Sequence, residues 1–446
     1  MLFIAPTSFF ADYGCHVRIL QQVRTARALG HEVLLCTYRS GRDWPGLAIR
    51  RTPPIPWRRG LEVGSSWHKL AYDALLAPVC LRAAREFRPH LVHAFLHEGA
   101  LLGWLLRAFT GVPLAFDFQG SLTSEMVDHG FLAPRSPFFR PLRWLEAFLD
   151  RQADLLLANS QHAEDLLVHA FGVEPGRIAL VPDGADVGHF RPLRPEDAPS
   201  RAALRRHLGL PEDRPIIAYL GLLAPYQGTD LLLQAVRHFL DRGGRAHFLV
   251  MGFPHVDRYR AQAEALGLTA SVTFTGAILY EEAPRYLHLA DLAVAPKISA
   301  TEGSGKLLAY MAAGLPVVAF DTPVHREVLG DLGLYAPAGD AGALAARLAE
   351  ALEDGGATRS RGIALRERAE RCFGPQTVAR SLAEAYDRAL ARQQGGPEAG
   401  SESRGSGARW RSSGGRWGFG GPGPRTLPGS PGPVPQEGPP VPAGCG

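Results

Sequence analysis

The chain has 446 residues, of which 46% are hydrophobic, and it carries a formal charge of +4 at neutral pH. This length and apolar content suffice for two domains that each bury a core, while the mild charge gives no support to a nucleic-acid-binding protein. The five cysteines are widely spread, with no pair at the two-residue spacing of a metal or redox site, which favours free thiols in a reducing cytoplasm.

The first half of the chain alternates short apolar runs with amphipathic segments. The runs LFIAP, HEVLLCT, LVHAF, PLAFDF, DLLLAN and IALVP are bounded by turn residues, and residues 17–29 show helical periodicity. Strands that alternate with helices predict a parallel sheet. The apolar N-terminal run has no basic segment before it and no cleavage signal, so we interpret it as the first strand. We assign residues 1–190 to a first α/β domain.

The pattern begins again after FRPLRPEDAPSR, whose proline and charge content is typical of an interdomain connection. The apolar runs that follow are PIIAYLG, AHFLVMG, VTFTG, LAVAP and LPVVAF, with helices predicted at residues 230–241, at residues 258–266 and around Lys306. We assign residues 191–375 to a second α/β domain. Two open parallel sheets in tandem place a cleft between them, where ligands bind at the carboxyl ends of the strands.

The last part of the chain has a different composition. Residues 393–446 contain 16 Gly and 10 Pro and almost no aliphatic side chains. Such a segment cannot bury enough apolar surface to fold, which predicts a disordered tail.

The stretch SATEGSGKLLAYMAAGLPVVAFD, residues 299–321, predicts an anion site. If its helix starts near residue 304, the amides of residues 303–306 have no partner inside the helix and can bind a phosphate. Gly303 and Gly305 let the phosphate approach the backbone, and Lys306 adds a positive charge. The alternative is a glycine-bearing helix cap with a solvated lysine. The spacing of a Walker loop is missing.

Lysine is scarce in this chain, which strengthens that prediction. It occurs only as Lys69, Lys297 and Lys306, and two of the three lie in or beside the stretch. Lys69 is distant in sequence, so we expect its replacement by alanine to leave anion binding intact.

Glycines also follow the first strand of each predicted domain. Gly14 lies in SFFADYGCHVRIL, and Gly221 and Gly228 flank the loop in YLGLLAPYQGTDLLLQA. A glycine at these points lets the backbone approach a ligand, but it can equally serve only to turn the chain. His16 and Arg18, just after Gly14, can face the cleft or solvent.

Seven segments in order resemble the GT-B glycosyltransferases of family 4. They are HEVLLCT, LVHAFLHEGALLG, ADLLLANSQHAEDLL, IALVPDGADVGHFRP, YLGLLAPYQGTDLLLQA, VTFTGAILYEEAPRYLHLADLAVAP and KLLAYMAAGLPVVAFDTPVHREVL. The resemblance covers roughly residues 1–390 and implies two tandem Rossmann-like domains facing a central cleft. It also implies that a helix at residues 376–392 crosses back to the first domain.

The same resemblance implies a retaining hexosyltransferase that needs no metal or cofactor. Its donor would be a nucleoside diphosphate sugar on the second domain, and its acceptor a glycan, a lipid-linked molecule or a small molecule on the first. A non-catalytic protein that binds a nucleotide or glycan, and a nucleotide-sugar epimerase, remain as alternatives, because this chain departs from the family at several positions.

The departures concern the donor site. Glu302 matches the first glutamate of the family's two-glutamate motif, while the second, which grips the ribose, falls on Ala309. Leu222 and Gln227 stand where the family usually has an arginine and a lysine on the diphosphate. We therefore expect the cationic role to have moved to the two nearby lysines. The predicted phosphate-binding residues are Gly14, Gly221, Gln227, Lys297, Gly303, Ser304, Gly305 and Lys306.

In the first domain, the resemblance implies three further polar positions. Gln119 in AFDFQGSLT matches a histidine that in the family approaches the donor sugar, and glutamine cannot shuttle a proton at neutral pH. His97 and Glu98 match a His-Glu pair of some relatives. We predict Glu98, Gln119 and Glu302 as catalytic residues.

Two basic and aromatic stretches could contact a membrane: WRRGLEVGSSWHK from Trp57 and RSPFFRPLRWLEAFLDR from Arg135. The second has the composition of an interfacial helix, although an ordinary helix packing on a sheet is the alternative. No apolar run is long enough to span a bilayer. We therefore expect a cytoplasmic protein with peripheral contact at the inner face of the membrane.

Overall fold

A computed structural model describes residues 1–54, 68–299 and 303–393. Its first part is a seven-stranded parallel sheet in the order β3-β2-β1-β4-β5-β6-β7 with helices on both faces. In chain order the elements are β1 (Leu2–Ala5), α1 (Gly14–Ala28), β2 (Leu34–Thr37), β3 (Ala48–Arg51), α2 (His68–Phe87), β4 (Val92–Phe95), α3 (Leu96–Thr110), β5 (Leu114–Phe118), α4 (Leu122–Asp128), α5 (Phe139–Asp150), β6 (Leu155–Ala158), α6 (Gln161–Phe171) and β7 (Ile178–Leu180).

The second part is a six-stranded parallel sheet in the order β10-β9-β8-β11-β12-β13. Its elements are α7 (Ala198–His207), β8 (Ile216–Leu220), α8 (Thr229–Asp241), β9 (His247–Met251), α9 (Val256–Ala265), β10 (Val272–Gly276), α10 (Ala283–Leu287), β11 (Leu292–Ala295), α11 (Gly305–Ala312), β12 (Val317–Phe320), α12 (Pro323–Leu329), β13 (Leu334–Ala336), α13 (Ala341–Glu353), α14 (Gly355–Phe373) and α15 (Pro375–Gln393).

The predicted pair of tandem parallel-sheet domains is confirmed. Strands β1, β4, β8 and β11 are buried along nearly their whole length, because helices cover both faces of each sheet. In each sheet the strand order reverses beside its first strand, between β1 and β4 and between β8 and β11. Ligands of such folds bind in the crevice at these switch points.

Two strands were not predicted. Strand β3 has the sequence AIRR and pairs with β2 at the edge of the first sheet, where its side chains are partly exposed. Strand β13 is only three residues long. Charged or very short edge strands lack the apolar run by which the buried strands are identified.

Helix α15 packs against the first sheet although it follows the second domain in sequence. It contacts α1 and strands β5, β6 and β7. The Tyr386 hydroxyl lies 2.9 Å from Nδ1 of His93 on β4. The tail predicted from residue 393 onward lies outside the described residues, except for residue 393 itself.

Candidate functional site

A cavity of about 290 Å³ lies between the two domains, at the carboxyl ends of both sheets. Ten of the eleven predicted site residues line it. The first domain contributes Gly14, Glu98 and Gln119, and the second contributes Gly221, Gln227, Lys297, Gly303, Ser304, Gly305 and Lys306. The eleventh, Glu302, lies outside the described residues.

The wall formed by the second domain contains the start of α11. This helix begins at Gly305, directly after Ser304. The side chain of Ser304 is buried, and its hydroxyl oxygen has no hydrogen-bond partner among the described residues. An unmatched hydroxyl beside the first amides of a helix suits a ligand with several acceptor oxygens, such as a phosphate.

Lys306 extends from this helix start toward the loop after β8. Its Nζ donates to Oε1 of Gln227 at 2.9 Å and lies 4.4 Å from the centre of the Tyr219 ring. Gln227 stands where the resemblance placed a lysine, and in this chain it orients Lys306 instead. The ammonium therefore has a fixed position on the cleft wall.

Gly221 is required for that position. It has a φ of +152°, and a Cβ atom there would lie 2.9 Å from Nζ of Lys306. A side chain at residue 221 would strain the backbone and displace the lysine. Leu222 and Ala309, the other two departures of the donor site from the family pattern, also line the cavity.

Lys297 supports the loop before α11. It is 2% exposed, and its Nζ donates to the carbonyl oxygen of Gly303 at 2.8 Å. An ammonium has three donors, so Lys297 can both brace this loop and contribute positive potential to the cleft.

Gly303 closely approaches the first domain. A Cβ atom at this residue would lie 2.7 Å from Nδ2 of Asn159 and 2.7 Å from Oδ2 of Asp183. Asp183 lies in the segment IALVPDGADVGHFRP, and no local pattern in that segment predicts its approach to residue 303. Glycine at 303 thus permits the two walls of the cleft to meet.

Arg18 fixes Asp183 from the other side. Its guanidinium donates to Asp117 at 3.0 Å and to Asp183 at 2.7 Å, and the side chain is only 5% exposed. Burial disfavours the charged form, but the two carboxylates outweigh it and raise the pKa of Arg18. Arg18 and His16 are both buried, and Arg18 lines the cleft. The ion-pair partners of Arg18 are far away in sequence, so periodicity could not place it, whereas His16 bonds to Thr7 and to the amide of Ala11 close by in the chain.

The first-domain wall carries the third lysine of the chain. Lys69, at the start of α2, lies 2.6 Å from Oε1 of Glu98 at the start of α3. Burial alone would raise the pKa of Glu98, but the charge and hydrogen bond of Lys69 lower it. The position of Lys69 in the sequence suggested that it is remote from the predicted site. In the structure it instead lines the same cleft and lies across it from Lys306.

Gln119 follows β5 and also faces the cleft. Its Nε2 is buried and has no hydrogen-bond partner among the described residues. The amide is therefore available to donate a hydrogen bond to a ligand.

His97 lines the cleft, but its side chain contacts two buried carboxylates inside the first domain. Its Nε2 lies 3.2 Å from Oδ1 of Asp150 and 3.9 Å from Oε1 of Glu146, both fully buried. Burial disfavours the imidazolium, but Asp150 and the neighbouring carboxylates outweigh it and raise the pKa of His97 to about 9. The ligand atoms of these three residues lie within 4.8 Å of one another, a spacing that could hold a metal ion. Metal binding would require His97 to lose its proton.

Several side-chain contacts join the domains beside the cleft, and two of them lie at its mouth and across it. The guanidinium of Arg42 pairs with Asp12 of its own domain and with Glu281 of the other, each at 2.7 Å. The rings of His129 and Tyr226 lie 4.5 Å apart across the cleft. These contacts hold the domains in a closed arrangement.

Helix α5 has one buried and one exposed side. Glu146 and Leu149 face the domain, whereas Phe138, just before the helix, is 68% exposed and Trp144 is 66% exposed. Among the described residues, no helix is both long and apolar enough to cross a membrane. The stretch from Trp57 lies largely outside the described residues.

Comparison with known proteins gives a family match for each half of the chain. The model for glycosyl transferases group 1 matches residues 200–369, and that for a glycosyl transferase 4-like domain matches residues 13–184.

Individual relatives agree with those matches. The chain is 28% identical over 410 residues to a 2-deoxystreptamine N-acetyl-D-glucosaminyltransferase of Streptomyces fradiae, covering 88% of this chain and 94% of the relative. It is 30% identical over 400 residues to a D-inositol 3-phosphate glycosyltransferase of Xylanimonas cellulosilytica, covering 85% and 93%. The structure of a sucrose-phosphate synthase from Thermosynechococcus elongatus superimposes with a TM-score of 0.75 at 21% identity, covering 88% and 99%.

Proposed function

Because this chain belongs to the group 1, family 4 glycosyltransferases of the GT-B fold, we propose that its cleft binds a nucleoside diphosphate sugar and transfers the sugar with retention of anomeric configuration. Sugar transfer itself is the activity of the family. We therefore prefer a transferase to the two alternative functions, a nucleotide-sugar epimerase and a non-catalytic binding protein. The donor, the stereochemistry and the acceptor are our proposal.

The observation that carries the donor assignment is the position of Lys306. Its ammonium lies at the start of α11, held by Gln227 and facing Gly221, beside the unmatched hydroxyl of Ser304. A diphosphate placed there receives a positive charge, main-chain amides and a hydroxyl donor at once. This arrangement replaces the arginine and lysine that the family usually places after β8.

The reaction follows from that placement. The bond between the anomeric carbon and the diphosphate oxygen breaks, and its electron pair leaves with the diphosphate. Lys306, Ser304 and the first amides of α11 stabilise the charge that develops on the leaving group. The acceptor oxygen forms its bond on the same face of the sugar, and its proton passes to the departing phosphate. No protein base is needed for that transfer, which fits a glutamine at position 119.

Closure of the two domains excludes water, which would otherwise hydrolyse the donor. The close approach of Gly303 to Asp183 and the ion pair between Arg42 and Glu281 support this step. The acceptor then lies between the donor and the first-domain wall.

A nucleotide panel tests the proposed function. The full chain is heated with UDP, GDP, ADP and their glucose conjugates, and the unfolding midpoint is recorded. A ligand at about 100 times its Kd should add about 2.7 kcal/mol to the free energy of unfolding. The stabilising donor is then incubated with acceptors, and NMR of the glycoside reads its anomeric configuration. An inverted product would contradict retention, and no stabilisation by any nucleotide would contradict the donor assignment.

We also propose that the exposed side of α5 contacts an anionic membrane surface from the cytoplasmic side. Phe138 and Trp144 supply the apolar groups, and the exposed Arg135 and Arg140 supply positive charge beside them. The full chain should sediment with vesicles that contain phosphatidylglycerol, whereas a Phe138→Ser, Trp144→Ser double variant should remain in the supernatant. Equal sedimentation of both proteins would contradict the proposal.

A further inference from the structure

The two walls of the cleft carry opposite charge. Among the described lining residues, the second domain contributes two lysines and no carboxylate. The first domain contributes three cations: Arg18, Lys69 and His97, whose pKa is raised to about 9. Its carboxylates in the lining are Asp12, Glu98, Glu125, Asp183 and Asp186. The acceptor wall is therefore acidic, whereas the donor wall is basic.

All three cations of the acceptor wall are already paired, His97 with the buried Asp150. Arg18 is 5% exposed and bonds to Asp117 and Asp183. Lys69 lies 2.6 Å from Glu98, and both side chains remain partly open to the cleft, at 18% and 23% exposure. A phosphate group on the acceptor would have to displace Glu98 from Lys69 or lie beside its carboxylate. Either arrangement is unfavourable, because like charges repel strongly in a partly desolvated cleft.

The surroundings of Lys69 contain further negative charge. Asp73, one turn along α2, accepts a hydrogen bond from the hydroxyl of Tyr38 at 2.5 Å. Burial, and then the charge of Glu98, raise the pKa of Asp73 to about 7. Asp73 is therefore only partly ionised at neutral pH, and a second cation in the cleft would favour its charged form and be stabilised in turn.

We infer that the acceptor is an amino-bearing polyol, such as an aminocyclitol or amino sugar, whose ammonium group is recognised by Glu98, and that the same residue disfavours phosphorylated acceptors. This inference rests on the proposed function, because it names the acceptor class of that cleft. Glu98 is then a specificity-determining residue rather than a general base. Its carboxylate selects the acceptor by charge, and Lys69 holds it in place.

The test measures acceptor binding separately from turnover. The full chain is titrated calorimetrically with 2-deoxystreptamine, myo-inositol and D-inositol 3-phosphate, in the presence of UDP, GDP or ADP. The variants are Glu98→Gln and the double variant Glu98→Gln, Lys69→Met. We expect the wild type to bind the amine at least about tenfold more tightly than the phosphate, since each 1.4 kcal/mol of charge interaction changes Kd tenfold.

The variants should change the two affinities in opposite directions. Glu98→Gln leaves the ammonium of Lys69 without its carboxylate, so binding of the phosphate should strengthen while binding of the amine weakens. The double variant should bind both charged probes about as weakly as the uncharged cyclitol. A merely structural role for Glu98 would weaken all probes alike.

Three results would overturn the inference: tighter binding of the phosphate by the wild type, no detectable binding of the amine, or equal loss of both probes in Glu98→Gln. Sugar transfer is recorded in separate reactions with the glucose conjugates of the same nucleotides. Failure of transfer by the wild type would count against the proposed function, whereas the order of the binding constants would still decide the acceptor class.

Discussion

The replacement of Lys306 by methionine should remove most of the affinity for a nucleoside diphosphate. Methionine keeps most of the length and the apolar stem of the side chain, but it removes the ammonium that Gln227 orients at 2.9 Å and that lies over the Tyr219 ring. The helix start and the unmatched hydroxyl of Ser304 remain in place. The variant therefore tests the ammonium group and leaves the rest of the donor wall intact.

The size of the effect follows from the charge that is lost. Two unit charges about 4 Å apart interact by about 4 kcal/mol at the effective dielectric constant of about 20 found near protein surfaces. A hydrogen bond to a charged group contributes about 1.5–3 kcal/mol net. Because Lys306 is already solvated in part by Gln227, we expect a loss of about 2–3 kcal/mol, which raises Kd about 30- to 150-fold.

Isothermal titration with the nucleoside diphosphate and with the free nucleoside measures this loss. The nucleoside lacks the phosphates, so its affinity should be the same in wild type and variant. Lys69→Met is the matched control, since it removes the same charge from the opposite wall of the cleft and should change the diphosphate affinity by less than about threefold. An unchanged diphosphate affinity in Lys306→Met, or an equal loss for nucleoside and diphosphate, would refute the reasoning.

Three further predictions concern closure of the cleft and stability. Gly303→Ala places a methyl group 2.7 Å from Oδ2 of Asp183, so it should hold the domains apart and raise the ratio of donor hydrolysis to transfer; an unchanged ratio would argue against closure. Arg42→Ala removes an ion pair across the domains and should raise KM for the donor about 2- to 5-fold at low salt, with the difference lost at high salt. Asp150 raises the pKa of His97 to about 9 in the folded protein. The protonated His97 therefore contributes about 3 kcal/mol to the free energy of unfolding. This contribution is complete below pH 6.5 and is lost as the pH rises through 9. His97→Gln should abolish that slope in urea titrations, and a wild-type stability that rises over this range would contradict the assignment.

Much of the fold could be predicted because buried parallel strands are continuous apolar runs. LFIA and LAVA in β1 and β11 are buried on both faces, so their sequences mark them without any knowledge of their partners. Strand β3 could not be found in this way, because the two arginines of AIRR lie at a partly exposed edge.

The residues of the donor wall could be predicted from the sequence for a similar reason. Gly303, Gly305 and Lys306 are adjacent in sequence, and the chemistry of a helix start depends on adjacent residues. The geometry of the acceptor wall could not be predicted, because the residues that form it come from distant parts of the chain. Arg18 meets Asp183 across 165 residues of sequence, and no local pattern records that contact.

Polar residues at familiar positions also took different partners from those the sequence suggested. Gln227 stands where the family usually has a lysine, and in this chain it accepts a hydrogen bond from Lys306. Lys297 faces the cleft and also donates a hydrogen bond to the carbonyl oxygen of Gly303. Such roles depend on which side chains fold against one another, so they required the structure.

A crystal structure of the full chain with its nucleoside diphosphate sugar would test the central claim most directly. We predict electron density for the diphosphate within hydrogen-bond distance of Nζ of Lys306 and of the first amides of α11, with the sugar directed toward Gln119. A diphosphate bound elsewhere on the protein, with Lys306 still directed only at Gln227 and Tyr219, would contradict the account.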